Sequence, residues 1–302
     1  MSQNPAPNRL ALGAGAICYA IWGFVPLVFQ HIGRLGIGPG ESLAHRIVWS
    51  VPAALLFVVL ARQGAQVRSV LRQPRVLAWL GLSAALIGTN WLIFIWAVND
   101  GRVLETSLGY YITPLLNMAA GALIFRETMD KIGLAAVGLA IVGVAIQALA
   151  LGHLPLVSLA LALTFGGYGV VRKQVAADAQ TGLFIECLIL AVPGLIMLAW
   201  LHHQGVGHFL NSPATVGWLL ASGPITAIPL VLFSWAARRI PLSLMGFLQF
   251  IGPTIAFTIG LHQGEAFTPL RALSFVFIWG GAAVFTYGAW QRSRTFQPVV
   301  GA

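Results

Sequence analysis

The sequence predicts an all-α integral membrane protein, with ten transmembrane helices arranged as two inverted five-helix repeats. Three observations predict it. First, of 302 residues 58% are hydrophobic and only 8% are charged, whereas soluble domains carry roughly 25% charged residues. Second, the charges sit between apolar runs near the ~20 residues that span a bilayer as a helix. Third, tryptophans and prolines of the first half return in one register in the second. A shift of 139 residues lays Trp79 on Trp218, Phe94 on Phe233, Trp96-Ala97 on Trp235-Ala236 and Pro114 on Pro253. A shift of 141 lays Pro52 on Pro193. Five spans precede the sixth, so the second half is expected upside down relative to the first. Inverted repeats with matching breaks place a binding site near the midplane between halves.

The apolar segments cover residues 10–31, 42–61, 76–98, 104–125, 131–150, 153–171, 181–201, 215–236, 243–261 and 269–290. Residues 1–9 read as a polar N-terminal tail, 10–150 as the first repeat, 151–290 as the second and 291–302 as a C-terminal tail. Residues 1–8 lack the basic start and small-residue cleavage site of a signal peptide. Lys and Arg set the orientation. With both termini in the cytoplasm, Arg9, the Arg62–Arg75 group, Arg126, Lys131, Arg172, Lys173, Arg238, Arg239, Arg292 and Arg294 face inward. Only Arg34, Arg102 and Arg271 face outward, and Arg46 lies inside a span. The net charge of +9 is therefore read as membrane orientation rather than nucleic-acid binding. Cys18 and Cys187 lie in apolar runs and are expected as core residues without a disulfide.

Taken in order, span one carries Trp22 and Pro26. Span two carries Arg46 about one turn from its outer end, and Pro52. Spans three and four hold most of the uncharged polar groups: Asn90, Trp91, Trp96 and Asn99, then Ser107, Tyr110, Tyr111, Pro114 and Asn117. Amides and hydroxyls in hydrocarbon are costly unless bonded, so this hairpin is the first candidate for a solute path. Span five, with Gly133, Gly138 and Gly143, and span ten, with Gly280-Gly281, suit close helix packing and a scaffold role. Span six carries Tyr168, in the counterpart of the span holding Trp22. Span seven carries Glu186 about one turn from its inner end. Span eight contains Pro224 and Pro229. Span nine repeats the span-four stripe as Gly246, Gln249, Pro253 and Ala256.

Trp22, Asn90, Trp96, Tyr110, Tyr111, Asn117, Tyr168 and Gln249 are the candidate substrate-binding residues. For Asn117 and Gln249 the competing reading is hydrogen bonding between helices. Pro114 and Pro253 are candidate gating points, because each removes a backbone hydrogen bond. Arg46 and Glu186 mark opposite mouths and are not expected to pair. Glu105, at the outer start of span four, is the expected partner of Arg46. Glu186 is the candidate carrier of a coupling proton, with a structural bond as the alternative. His202, His203 and His208 have no Cys or carboxylate beside them in sequence and read as a solvated loop rather than a metal site. No phosphate-binding loop or catalytic constellation is present, so neither an enzyme nor a cofactor or metal is expected.

The segments His45–Ser50, Asn90–Asn99, Leu104–Leu115, Tyr168–Lys173, Gln180–Glu186 and Gly246–Thr254 together resemble the RarD proteins. These form part of the EamA branch of the drug/metabolite transporter superfamily. The resemblance covers nearly the whole chain. It implies a bacterial inner-membrane location, two inverted five-helix halves and export-type transport of small molecules. The expected partners are therefore a small-molecule substrate, membrane lipids and a coupling proton. The expected activity is secondary transport by alternating access. An uncoupled facilitator, and more remotely a membrane enzyme or lipid-binding component, are the alternatives.

Overall fold

The computed structural model describes residues 9–100, 102–127, 129–151, 154–262 and 268–295, and these form helices and connections with no strand among them. In chain order the helices are α1 (Arg9–Arg34), α2 (Pro39–Leu60), α3 (Gly64–Leu71), α4 (Pro74–Asn99), α5 (Val103–Leu123) and α6 (Lys131–Leu151). They continue as α7 (Leu156–Gln174), α8 (Ala179–His203), α9 (Pro213–Ala237), α10 (Leu242–Gln249), α11 (Ile251–His262) and α12 (Pro269–Thr295). Seven of them (α1, α2, α4, α6, α7, α8 and α9) are long and apolar enough to cross a bilayer. Leu244–Ala256 and Ala272–Phe285 add shorter apolar stretches.

Local chemistry explains several helix starts. Pro39, Pro74 and Pro213 open α2, α4 and α9, where a missing N–H leaves no helical bond unmade. Ser212 caps α9 by accepting from the Thr215 N–H at 3.1 Å, satisfying one of the orphan donors there. The outside of the bundle is oily: Leu60, Leu123, Leu149, Ile196 and Val276 are exposed. Apolar surface of that extent is what a bilayer covers, and the chain is a multi-pass membrane protein.

Two features depart from the ten segments. The connection between the second and third contains α3, which buries only Val70. The ninth segment is two helices. Pro253 has no N–H, so the Gln249 carbonyl loses its usual partner four residues on. The Phe250 N–H turns back to the Phe247 carbonyl at 3.2 Å and ends α10. Pro114, its counterpart at the 139-residue shift, leaves α5 a single helix from Val103 to Leu123. The two matched prolines thus act differently.

The main packing pairs are α6 with α12, α2 with α8, α5 with α10, α1 with α9, α4 with α7, α1 with α11, α5 with α7, α2 with α9 and α4 with α8. Exchanging the first five segments for the second five maps each pair onto another of the set or onto itself. Glycines permit the closest approaches. A Cβ on Gly223 would overlap the Trp49 carbonyl oxygen, which locks α9 against α2. At the α6–α12 seam, a Cβ on Gly143 would lie 2.8 Å from the Ser274 carbonyl, and one on Gly281 2.7 Å from that of Ala136. Gly138 and Gly280, expected in the same role, have open space where a Cβ would stand.

Candidate functional site

A cavity of about 120 Å³ opens between the helices. It lies toward the end of the bundle that holds the C-terminus of α1 and the α4–α5 turn. Trp22, Pro26 and Gln30 of α1, Arg46 of α2, Asn90, Trp91 and Phe94 of α4, and Thr106, Ser107, Tyr110 and Tyr111 of α5 form one wall. Gln147 of α6, Phe165 of α7, the Gln249–Ala256 region of α10 and α11, and Phe275 of α12 complete it. Gln147 and Phe275 correct the purely scaffolding role expected of the fifth and tenth segments.

The floor of the cavity is an aromatic stack. Trp22 meets Phe165 edge-on, with centroids 5.2 Å apart and rings at 84°, and lies 5.7 Å from Phe233. Phe233 in turn stacks on Tyr168 at 5.9 Å. Such rings fill space stiffly and seal it, because each has few rotamers and a large apolar face.

The polar residues of the wall are held by named partners. Asn90 donates through Nδ2 to the Leu161 carbonyl at 3.0 Å and to Thr164 Oγ1 at 2.9 Å, which ties α4 to α7. Tyr110 packs against Phe94 at 5.8 Å. Tyr111 lies between Phe250 and Phe275, at 6.3 and 5.6 Å. Gln249 accepts from Asn117 Nδ2 at 3.0 Å through Oε1. That bond joins the two matched stripes, so Asn117 serves as an interhelical clasp just behind the wall.

Arg46 is 4% exposed and part of the wall. Its Nε donates to Thr226 Oγ1 at 2.8 Å. The guanidinium carbon lies 4.3 Å from the Trp91 ring and 4.9 Å from that of Phe29, both within cation–π range. The expected Glu105 partner is elsewhere. Glu105 Oε1 lies 3.7 Å from Arg102 Nη1, one turn away on the same chain segment. The nearer cation takes the carboxylate, and Arg46 turns inward to aromatic faces instead.

Two other candidates lie outside the wall. Trp96 is 42% exposed on the outer surface of α4, with Arg102 5.0 Å above its ring. Its position in the helix turns it away from Asn90 and Phe94, which explains why it misses the cavity. Tyr168 lies below the aromatic floor, completely buried.

Tyr168 belongs to a second buried group at the opposite end. Glu186 and Arg172 are both buried, with Nε of Arg172 3.6 Å from Oε1 of Glu186. Ser83 of α4 donates to the same Glu186 oxygen, and Arg172 Nη2 donates to the Ala179 carbonyl at 3.3 Å. Gly182 makes room for this: a Cβ there would overlap Arg172 Nη1. The Tyr168 hydroxyl faces the cluster without a well-formed hydrogen bond. Arg172, grouped in the sequence with the cytoplasmic charges, is thereby corrected to a buried residue. It sits two residues from a helix end and reads as a loop charge, and only a partner 14 positions later reveals its role. Around the cluster, Arg238 pairs with Asp178 at 3.3 Å and Lys173 with Glu127 at 2.6 Å. Gln63 and Gln66 also bind Asp178.

The histidine segment expected as a solvated loop is also corrected in part, since His202 and His203 form the end of α8. His202 and His203 are exposed, but His208 Nδ1 lies 2.8 Å from Glu41 Oε2, and its backbone N–H donates to Glu41 Oε1 at 2.6 Å. The carboxylate comes from α2, far away in sequence. No group of three metal-binding side chains occurs among the described residues. Cys18 and Cys187 are free and buried.

Comparison with known proteins places this geometry in a family. The model of the EamA-like transporter family matches residues 10–149. An uncharacterized transporter of Vibrio cholerae is 41% identical over 94% of this chain and 93% of its own length. Protein RarD of Escherichia coli is 39% identical over 94% of this chain and 95% of its own. A protein of Pseudomonas aeruginosa named chloramphenicol-sensitive protein RarD is 32% identical over 94% of both chains. One crystal structure, 21% identical, shares the fold with a TM-score of 0.67 over 93% of this chain and 98% of that one. The chain belongs to the RarD group of the EamA transporter family, within the drug/metabolite transporter superfamily, and is a membrane transporter of that family.

Proposed function

We propose that the protein is a secondary transporter of the bacterial inner membrane. It moves a small solute by alternating access between two inverted five-helix halves, with both termini in the cytoplasm. One observation carries this reading: a polar and aromatic cavity opens toward one end of the bundle, while buried charge seals the other. The exchange symmetry of the packing pairs supports two equivalent halves around that cavity. The Lys/Arg bias supports an inner location for the sealed end, and with it the reading of this arrangement as outward-facing.

In this mechanism the Arg172–Glu186 group is the inner barrier. Opening the inner side separates a buried pair, which is unfavourable unless the charges gain water or a proton. Glu186 takes the coupling proton, and its charge sets whether Arg172 is held. The break at Phe250 and the prolines Pro114 and Pro253 supply the bending points. Trp22, Asn90, Tyr110, Tyr111 and Gln249 face the solute.

The test uses Ser107→Cys in a background lacking Cys18 and Cys187. An impermeant thiol reagent is expected to label it from outside. Arg172→Gln is expected to lower that labelling and raise labelling from inside. Equal labelling from both sides in the parent would indicate an open facilitator, and no response to Arg172→Gln would remove the barrier assignment. Proton coupling is tested separately: Glu186→Gln is expected to retain solute exchange in proteoliposomes and to lose accumulation driven by a pH gradient.

A further inference from the structure

We infer that the cavity is a site for a solute with an anionic, carboxylate-like group on a flat apolar body, and that Arg46 holds the anionic end. This rests on reading the cavity as the substrate site and goes further by naming the charge of what enters it.

A guanidinium offers five N–H donors in a planar fork. Arg46 uses one, on Thr226 Oγ1. Thr226 donates its own hydroxyl proton to the Ser222 carbonyl at 2.8 Å, so it is an acceptor toward Arg46 and neutral. The rings of Trp91 and Phe29 hold the faces of the guanidinium but leave its edge unmatched. Every described carboxylate is engaged elsewhere. Glu41 meets His208, Asp100 and Glu105 meet Arg102, and Glu127 meets Lys173. Asp130 accepts from the Gly133 N–H, Asp178 meets Arg238 and Glu186 meets Arg172.

Burying a cation without an anion is strongly unfavourable. The other buried or half-buried cations with described partners, Arg172 and Lys173, each have a carboxylate. At Arg46 the place of that carboxylate opens onto the cavity. An anion entering there meets a charge already stripped of bulk water, where hydrogen bonds to ionised groups are strongest. A cationic solute meets repulsion in a low-dielectric space. Trp22, Phe94, Tyr110, Tyr111, Phe165 and Phe275 supply aromatic faces to the wall, and a cavity of about 120 Å³ is near the ~150 Å³ that admits benzene.

The experiment compares three probes of one body and three headgroups: benzoate, benzyl alcohol and benzylamine. Binding to the purified protein in nanodiscs is followed by ligand-observed NMR titration, for the parent, Arg46→Lys and Arg46→Gln. Benzoate is expected to bind about tenfold or more tightly than benzyl alcohol, and benzylamine not at all. Arg46→Gln is expected to abolish the preference for benzoate, and Arg46→Lys to retain part of it. If the alcohol or amine matches benzoate, or if the preference survives Arg46→Gln, the anion assignment is overturned while the cavity remains a binding site. If none of the three binds the parent, both the assignment and the reading of the cavity as the substrate site fall. Should Arg46→Gln fail to fold, the parent series and Arg46→Lys distinguish the same outcomes.

Discussion

Arg46 and Arg172 are both arginines buried inside an apolar chain, one toward each end of the bundle. Arg172 has Glu186 at 3.6 Å, the Ala179 carbonyl at 3.3 Å, and Gly182 cut away to admit its guanidinium. Arg46 has one hydroxyl, two aromatic faces and a cavity. The difference separates two uses of buried charge. Where charges pair, the group closes space and joins α4, α7 and α8 through Ser83, Arg172 and Glu186. Where the charge has no counterion among the described residues, it leaves space for something to supply one. Stability is expected to depend on the first and ligand preference on the second.

Three tests probe that division. The largest effect is expected at the sealed end. Arg172→Ala or Glu186→Ala leaves an uncompensated buried charge and should destabilise the protein by about 3–5 kcal/mol, read from unfolding in detergent. The apolar pair Arg172→Met with Glu186→Leu should restore most of it. If either single change is neutral, the two ends are not different in kind. The second effect is smaller. Arg46→Met removes a cation without stranding any described carboxylate, so its cost should stay within about 2 kcal/mol, the scale of the lost cation–π contact. A loss matching that at Arg172 would break the contrast. The smallest effect is expected at Glu105. Its cation, Arg102, is 45% exposed, and such pairs contribute about 0–1 kcal/mol. Reversing the charges of Glu105 and Arg46 together should therefore fail to rescue what either reversal loses. A rescue would show that the two meet in another state and would sharpen the comparison into one about conformations.

Much of the fold was legible in the sequence. Each apolar segment contains helix, because hydropathy and period are carried by neighbouring residues. The irregularities were less legible. Both Pro114 and Pro253 signalled a weak point, but only Pro253 interrupts its helix. The sequence placed the wall residues Trp22, Asn90, Tyr110, Tyr111, Gln249 and Arg46 among the candidates, since polar and aromatic residues in hydrocarbon stand out. It could not separate them from Trp96, which carries the same signal on the opposite face of α4. Ser83, Thr226, Gln147 and Arg172 were missed. Small hydroxyls are common in membrane helices, and Arg172 lies too near a helix end to be distinguished from a loop charge.

The sequence by itself determined that this chain lives in a bilayer, which apolar segments are helical and to which family it belongs. All three follow from composition, from local periodicity and from motifs read in order. Tertiary structure decided who meets whom. It gave Glu105 to Arg102, Glu41 to His208 and Glu186 to Arg172, and it left Arg46 facing a cavity. The physical reason is range. A helix needs only its own neighbours to satisfy its backbone, whereas a buried charge is satisfied by whichever group the packing of distant helices delivers.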